Sequence, residues 1–338
     1  MIALLNDRLG VSRSLFPGLL ISGLIAIAAQ FISDHYGAPA MLMALLFGIA
    51  LNFLSEEGPC SAGIAFSART VLRFGVALLG MRISFEMAAS LGWSIVAIVI
   101  GGVIATIIFG MSIARLLGHG PRFAFLSAGS VAICGASAAM AIAAILPRDE
   151  RSEERLVFTI VGVTLLSTIA MIVYPIFAQL IGFDSQFSGI FIGATIHDVA
   201  QVVGAGFSIS QETGDIATVV KLIRVAMLAP VILVAVIIIR RIGGGDSKAG
   251  QPAIMPGFVV AFAILVALNS FGLFPPGITE ISAVVSRWAL LTAISAVGLK
   301  TSLREVIKVG GAAIALLVIE TLFLGAWTLV LLQWISGS

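Results

Sequence analysis

The sequence predicts an all-α polytopic transmembrane helix bundle of ten or eleven spans. Three observations predict it. The 338 residues are 59% hydrophobic and only 11% charged, where a soluble domain carries about 25% charged residues. A mean hydropathy of +1.15 would leave any folded form with more apolar surface than water tolerates. Apolar stretches close to the length of a bilayer-crossing helix recur along the whole chain, and basic residues gather in alternate connections between them.

Taken in order, the stretches centre on Leu15–Phe31, Pro39–Leu54, Val71–Met81, Leu91–Leu117, Phe123–Ile145, Leu156–Leu180, Phe187–Phe207, Ile216–Ile239, Phe258–Leu273, Ala289–Leu299 and Val309–Leu332. The third and tenth are short and must recruit flanking polar residues. Ahead of the first, Met1–Arg13 is short and polar with Arg8 and Arg13. It reads as a cytoplasmic lead-in, and no small-residue cleavage site marks a signal peptide. Loops are short. The exception is the Gly-rich polar stretch Arg241–Pro252, expected to be a flexible loop within one transmembrane domain covering residues 1–338.

With the N-terminus inside, the inner loops carry Arg115, His119 and Arg122, then Arg240, Arg241 and Lys248, then Lys300, Arg304 and Lys308. The outer loops include the neutral Phe274–Gly277 and the acidic Gln211–Asp215. This follows the positive-inside rule and puts the C-terminus outside. The segment Arg148–Arg155 fits poorly: it mixes both signs and would lie outside.

An internal echo relates Arg69–Gly92 to Arg287–Gly310. Arg69 pairs with Arg287, Leu72 with Leu290, Gly80 with Gly298, Ser84 with Ser302 and Gly92 with Gly310. These are spans three and ten, which run in opposite directions, and inverted repeats mark many secondary transporters. Chance is the alternative, since Gly, Leu and Ser are common in membrane helices.

Composition excludes several functions. A net charge of +2 without a basic run offers nothing to nucleic acid. Cys60 and Cys134 are too far apart in sequence to suggest a disulfide framework, and the three histidines lack metal-ligand spacing. Neither a His-Glu-x-x-His zinc motif nor a nucleotide-binding loop occurs. The chain is expected to be no enzyme, to need no cofactor, and to have small anionic solutes, a coupling H+ or Na+ and membrane lipid as its partners.

Three segments could carry chemistry. Ser127–Met140 is rich in small and hydroxylated residues, including Gly129, Ser130, Cys134, Gly135 and Ser137. Small residues permit close helix packing. They also permit a helix break at mid-membrane, whose free N–H groups could hold an anion. The second segment, Gly193–Gly206, places Thr195, His197, Asp198 and Gln201 inside an apolar span. Ionisable groups there are expensive and usually face a water-filled path or a partner. A His–Asp pair could carry a coupling proton, or could be a structural hydrogen bond. In the third, Lys221 and Arg224 share a helix face and could either meet an anion or snorkel to the interface. Glu320, Asn52 and Arg73 are lesser candidates: Glu320 sits mid-span and calls for a basic partner, and Arg73 should snorkel. Pro175 and Pro230 are expected to kink or end helices.

Across nearly its whole length the chain resembles the YeiH-like family of proposed sulfate exporters of bacterial inner membranes. The resemblance rests on Leu72–Arg82, Ile133–Ala138, Thr195–Val203, Lys221–Arg224 and Gly298–Thr301. It implies a multi-pass inner-membrane protein distantly related to the cation:proton antiporter and anion transporter superfamily. Those folds pair two inverted bundles of about five helices, cross two broken helices at the substrate site, and are often dimeric, so a homodimer is the assembly expected. Counted as crossings, spans five and seven run the same way, which a simple inverted repeat forbids.

The reading that results is a secondary transporter of a small anion, sulfate first, working by alternating access. Ser130, Cys134, Gly135, Ser137, Thr195 and Gln201 would line the site beside Gly129. Lys221 or Arg224 would supply charge, and His197 with Asp198 would couple protons. A sodium-coupled carboxylate or sulfonate transporter on the same fold, and a passive anion channel, are the alternatives.

Overall fold

In lipid the main chain can satisfy its polar groups only within helices or closed barrels, and no strand occurs among the described residues. The computed structural model describes residues 2–84, 86, 91–147, 149–242, 257–301 and 311–336, with the main chain alone at 2–13, 240, 242, 276, 311–312 and 336.

The helices are α1 (Ile2–Tyr36), α2 (Ala40–Ala50), the short α3 (Phe53–Glu56), α4 (Ser61–Phe66) running through a π turn at Ser67–Val71 into α5 (Leu72–Leu79), α6 (Gly92–Leu116), α7 (Pro121–Ala132), α8 (Ala136–Ile145), α9 (Ser152–Leu180), α10 (Ser185–Thr195), α11 (Val199–Ile209), α12 (Gln211–Ala226), α13 (Leu228–Ile242), α14 (Gly257–Ser270), α15 (Pro276–Lys300) and α16 (Gly311–Ser336). Pro175 lies inside α9 without ending it. Pro230 follows the break between α12 and α13 at Met227, where its ring and missing N–H disfavour a continuous helix.

The segments expected as spans five and seven are broken where the small and polar residues fall, at 133–135 and 196–198. Neither crosses the membrane. Arg122, at the start of α7, donates to Asp149, just past α8, at 2.8 Å. A side chain on Gly129 would run into Ile142. A straight helix at 1.5 Å per residue would hold these pairs roughly 20 Å or more apart, so α7 and α8 form a hairpin. The second broken segment folds back likewise. Ser210, just past α11, bonds Ser185 at the start of α10, and Thr213 donates to the Ser185 carbonyl. The expectation of crossing broken helices is therefore corrected to two re-entrant hairpins, α7–α8 and α10–α11. Their arms are 10 to 12 residues long.

Nine helical runs among the described residues then cross: seven long ones and the shorter α2 and α14. Removing two crossings leaves the ends on the faces expected, but reverses α9. The segment 149–155 consequently lies on the basic face beside Arg122, which removes the misfit of Arg148–Arg155. Arg148, Lys248, Arg304, Lys308 and positions 243–252 of the polar loop lie outside the described residues, as do Ser302 and Gly310 of the echo.

The echo has structural content. Gly80 at the end of α5 is pressed on the Phe262 carbonyl of α14, and Gly298 at the end of α15 is pressed on Leu45 and Gly48 of α2. Asn52 donates to the Leu299 carbonyl at 2.8 Å, and Asn269 donates to the Ile83 carbonyl at 3.3 Å. Both asparagines follow Ala-Leu, at 50–51 and 267–268. So α2, α4–α5 and α6 correspond to α14, α15 and α16 with opposite orientation. The two hairpins, each followed by a long helix, enter from opposite faces in the same relation. That order answers the parity problem: the hairpins correspond to each other without crossing.

The helices sort into two groups. α1, α2, α4–α5, α14 and α15 pack together, α2 against α15 and α1 against α4 through facing glycines (Gly48 with Gly298, Gly18 with Gly63). α6 through α12 and α16 pack around the hairpins. Between the groups α11 rests on α2 and α15, and Arg82 reaches Asp215 of α12 at 3.4 Å. A cleft of about 850 Å³ opens there, with Pro39, Arg82, Phe207, Gln211, Asn269 and Arg287 on its walls.

Candidate functional site

The last carbonyls of a helix have no partner within it. In each hairpin the first arm ends at mid-membrane, where water cannot satisfy them. Lys221 and Arg224 do so for both hairpins at once. Lys221 Nζ donates to the carbonyls of Ile133 at 2.8 Å and Ile196 at 2.9 Å. Arg224 donates through Nε to Ala132 at 3.0 Å, through one terminal nitrogen to Gly193 and Ile196, and through the other to Val131 at 2.9 Å. The two side chains are 0% and 1% exposed. They do not snorkel, because three turns of α12 carry them inward from the membrane face.

The second arms begin where the first end, so the N-termini of α8 and α11 also point to mid-membrane. Gly135 precedes α8 with φ +61° and ψ −126°, a conformation that residues with a Cβ avoid, and it packs against His197. Cys134 is buried beside it. Ser137 is exposed on the first turn of α8. Gly129 and Ser130 point away from the tip: Gly129 packs on Ile142, and Ser130 bonds the Leu126 carbonyl of its own helix.

His197 and Asp198 do not bond each other. His197 Nε2 meets Thr321 of α16 at 3.0 Å, and its Nδ1 has no partner. Asp198 caps α11 by accepting from the Ala200 N–H at 2.8 Å, while its own N–H donates to Ser167 at 3.0 Å. Gln201 donates to Thr168 at 2.7 Å and leaves its oxygen unpartnered. Thr195 is buried with its hydroxyl turned to its own helix. The tips thus gather Cys134, Gly135, Ser137, Thr195, His197, Asp198, Gln201, Lys221 and Arg224. Sequence reasoning missed Ser167 and Thr168 of α9, which hold the second tip. Adjacent hydroxyl residues in an apolar span were the available signal.

The lesser candidates lie elsewhere. Asn52 belongs to the α2–α15 contact, and Arg73 lies over the Phe258 ring at 5.9 Å. Glu320 finds no basic partner among the described residues; its Oε1 stands 3.0 Å from Ser127 Oγ of α7.

Known proteins share this whole arrangement of sequence. Residues 17–317 match the family model described as conserved hypothetical protein 698. The UPF0324 membrane protein TauZ of Paracoccus pantotrophus is 58% identical over 97% of both chains. A UPF0324 membrane protein of Rhizobium meliloti is 57% identical over 95% of this chain and 94% of its own. One from Chlorobaculum tepidum is 50% identical over 95% of this chain and 90% of its own.

Proposed function

The chain belongs to the UPF0324 family of multi-pass membrane proteins, and on that premise we propose that it is a secondary transporter of small anions. Sulfate and sulfonates are the first candidates. One observation carries the reading: two fully buried basic side chains, Lys221 and Arg224, sit where opposed hairpins meet, against a single acidic side chain on the tips, Asp198. Buried charge in a membrane is costly and is normally matched by a partner. Two cations against one carboxylate leave the centre positive, and a bound anion neutralises it.

Main-chain chemistry points the same way. The N-termini of α8 and α11 bring the positive ends of two helix dipoles to this centre. The first N–H groups of α8 and the reachable hydroxyl of Ser137 are donors suited to an oxyanion, while at α11 Asp198 already accepts from the Ala200 N–H. Lys221 and Arg224 spend most of their donors on main-chain carbonyls, so their part is to fix the tips and set the field. The anion's hydrogen bonds come from the second arms.

Transport then follows from the division into two groups of helices. The hairpin group carries the centre, and α11 slides on α2 and α15, opening the centre to one face at a time. The Arg82–Asp215 pair bridges the groups on the face opposite the basic loops. The solute passes unchanged, across the bacterial inner membrane.

The test is labelled sulfate flux in proteoliposomes, with and without an imposed pH gradient, against empty liposomes. Saturable flux above the empty control is expected. Flux of an organic acid driven only by sodium would replace this reading with cation-coupled carboxylate transport. Non-saturating flux would replace it with a channel.

A further inference from the structure

Glu320 is 0% exposed at mid-length of α16, and among the described residues no cation pairs with it. Four elements pack on α16: α6, α7, α9 and α10. On α6 the facing residue is Gly110, whose missing side chain makes room for the carboxyl. On α7 it is Ser127. α10 has no titratable residue. The bases of these helices lie at the membrane face: Arg122 and Arg155 are bound to Asp149, and Arg115 is exposed. Tyr174 of α9 stands further along, beside Gly325. The histidine nearest in the network is His197, reached through Thr321, the next residue of α16. Glu320 Oε2 has no hydrogen-bond partner among the described residues.

The hydroxyl of Ser127 sharpens the point. It has one hydrogen but stands 3.1 Å from the Ala124 carbonyl and 3.0 Å from Glu320 Oε1. One hydrogen shared between the two would make a weak three-centre bond; both contacts are full hydrogen bonds when Glu320 contributes a hydrogen of its own. An ionised carboxylate with one neutral contact, sealed from water and far from any cation, would carry a large uncompensated penalty. A neutral carboxyl donating to Ser127 Oγ, while Ser127 donates to Ala124, satisfies the geometry.

We propose that Glu320 is a proton-binding site, protonated in this arrangement and hydrogen-bonded to Ser127, and that its proton is the one coupled to anion movement. The second half rests on the transporter reading above. α16 touches the first hairpin through Glu320 and the tip of the second through Thr321, so movement of either hairpin changes the surroundings of the carboxyl. The O–H bond forms by transfer from water on one side of the membrane. It breaks by transfer to water on the other, once Ser127 and Glu320 have parted. The proton offsets the charge of the anion that travels with it.

The test has two arms. Infrared spectra of the reconstituted protein between pH 5 and 9 are expected to show a protonated-carboxyl stretch that is missing in Glu320→Gln and shifted in frequency in Ser127→Ala. If Glu320→Gln leaves that band unchanged, the site is overturned. In the flux arm, the ratio of sulfate flux with a pH gradient to flux without one should fall to unity in Glu320→Gln, while Glu320→Asp, which keeps a carboxyl, retains a ratio above it. An undiminished ratio in Glu320→Gln overturns the coupling role. If the unmodified protein moves no sulfate, the transporter reading fails, and the infrared arm still decides the proton site. Should Glu320→Gln not fold, the same two readouts on Glu320→Asp and Ser127→Ala decide: unmoved band and ratio in both would overturn the proposal.

Discussion

Replacing Arg224 by Met keeps much of the side-chain volume and removes every hydrogen bond it makes. The structure sets the expected cost. The carbonyls of Val131, Ala132 and Gly193 lose their cationic partner, while Ile196 keeps Lys221 at 2.9 Å. A buried group left unpaired costs about 1–3 kcal/mol, so three cost about 3–9 kcal/mol. Relief from burying the guanidinium offsets part of this, which leaves a net loss of about 3–5 kcal/mol, as for other buried pairs broken from one side. Arg82→Met is the control. That arginine is 28% exposed and holds Asp215 at a loose 3.4 Å, and such pairs contribute about 0–1 kcal/mol. Melting can be followed in detergent with a thiol-reactive dye on buried Cys134, in a Cys60→Ser background because Cys60 is partly exposed. At about 2–4 °C per kcal/mol, Arg224→Met should melt at least ~4 °C below Arg82→Met. Equal midpoints for the two variants would refute the claim that Arg224 fixes the hairpin tips.

Other consequences are as direct. Single cysteines at Glu150 and His119 should be labelled from the same face of the membrane, and one at Ile181 from the opposite face; labelling of Glu150→Cys and His119→Cys from opposite faces would restore a crossing segment. Gly135→Ala should destabilise the first tip by about 1–3 kcal/mol, because a Cβ is strained at its positive φ, and an unshifted melting midpoint would contradict that conformation. Asp149 accepts from Arg155 and Arg122 at the base of the first hairpin, and the Arg155 bond is the main cause holding its pKa down at about 2. A depressed folded-state value means that its stabilising effect is complete above the ordinary value of 3.8 and is lost as pH falls towards about 2. The gap in melting midpoint between the parent and Asp149→Asn should therefore hold from neutral pH to about 5 and close below 4; a gap that persists at pH 2 would mean that the ion pairs are not its source.

Hydropathy located the apolar segments, and small and polar residues suggested both breaks, yet hydropathy could not separate a helix that crosses from a hairpin that returns. The reason is physical. Both forms need some 20 to 25 apolar residues, and a stretch such as 123–145 has the same composition whether its halves are collinear or folded together. Two local signs did distinguish them. The mixed-charge Arg148–Arg155 sat on the wrong face as long as 123–145 was counted as a crossing, and Asp149 proved to be the residue that closes the base on Arg122. The Cys134-Gly135 and His197-Asp198 dipeptides supply what a tight tip requires: a residue free to adopt positive φ in one, an N-cap carboxylate in the other. Neither sign is periodic, so neither appears in a window average.

The charged residues were harder to read, because sequence shows where a cation is but not what it is bonded to. Placed near the start of their span, Lys221 and Arg224 looked able to snorkel. α12 starts at the membrane face with Gln211, so ten and thirteen residues of helix, at 1.5 Å each, take them about 15–20 Å inward, to the level of both tips. The same depth explains why they are held by carbonyls and not by carboxylates. Two hairpins entering from opposite faces bring two helix C-termini to one point, and Lys221 and Arg224 satisfy their orphan carbonyls. The arrangement corrects the negative ends of the helices and leaves the positive ends of α8 and α11 unopposed except by Asp198. On the reading proposed above, it is the excess of two basic side chains, Lys221 and Arg224, over one carboxylate, Asp198, that makes an anion the solute to try first.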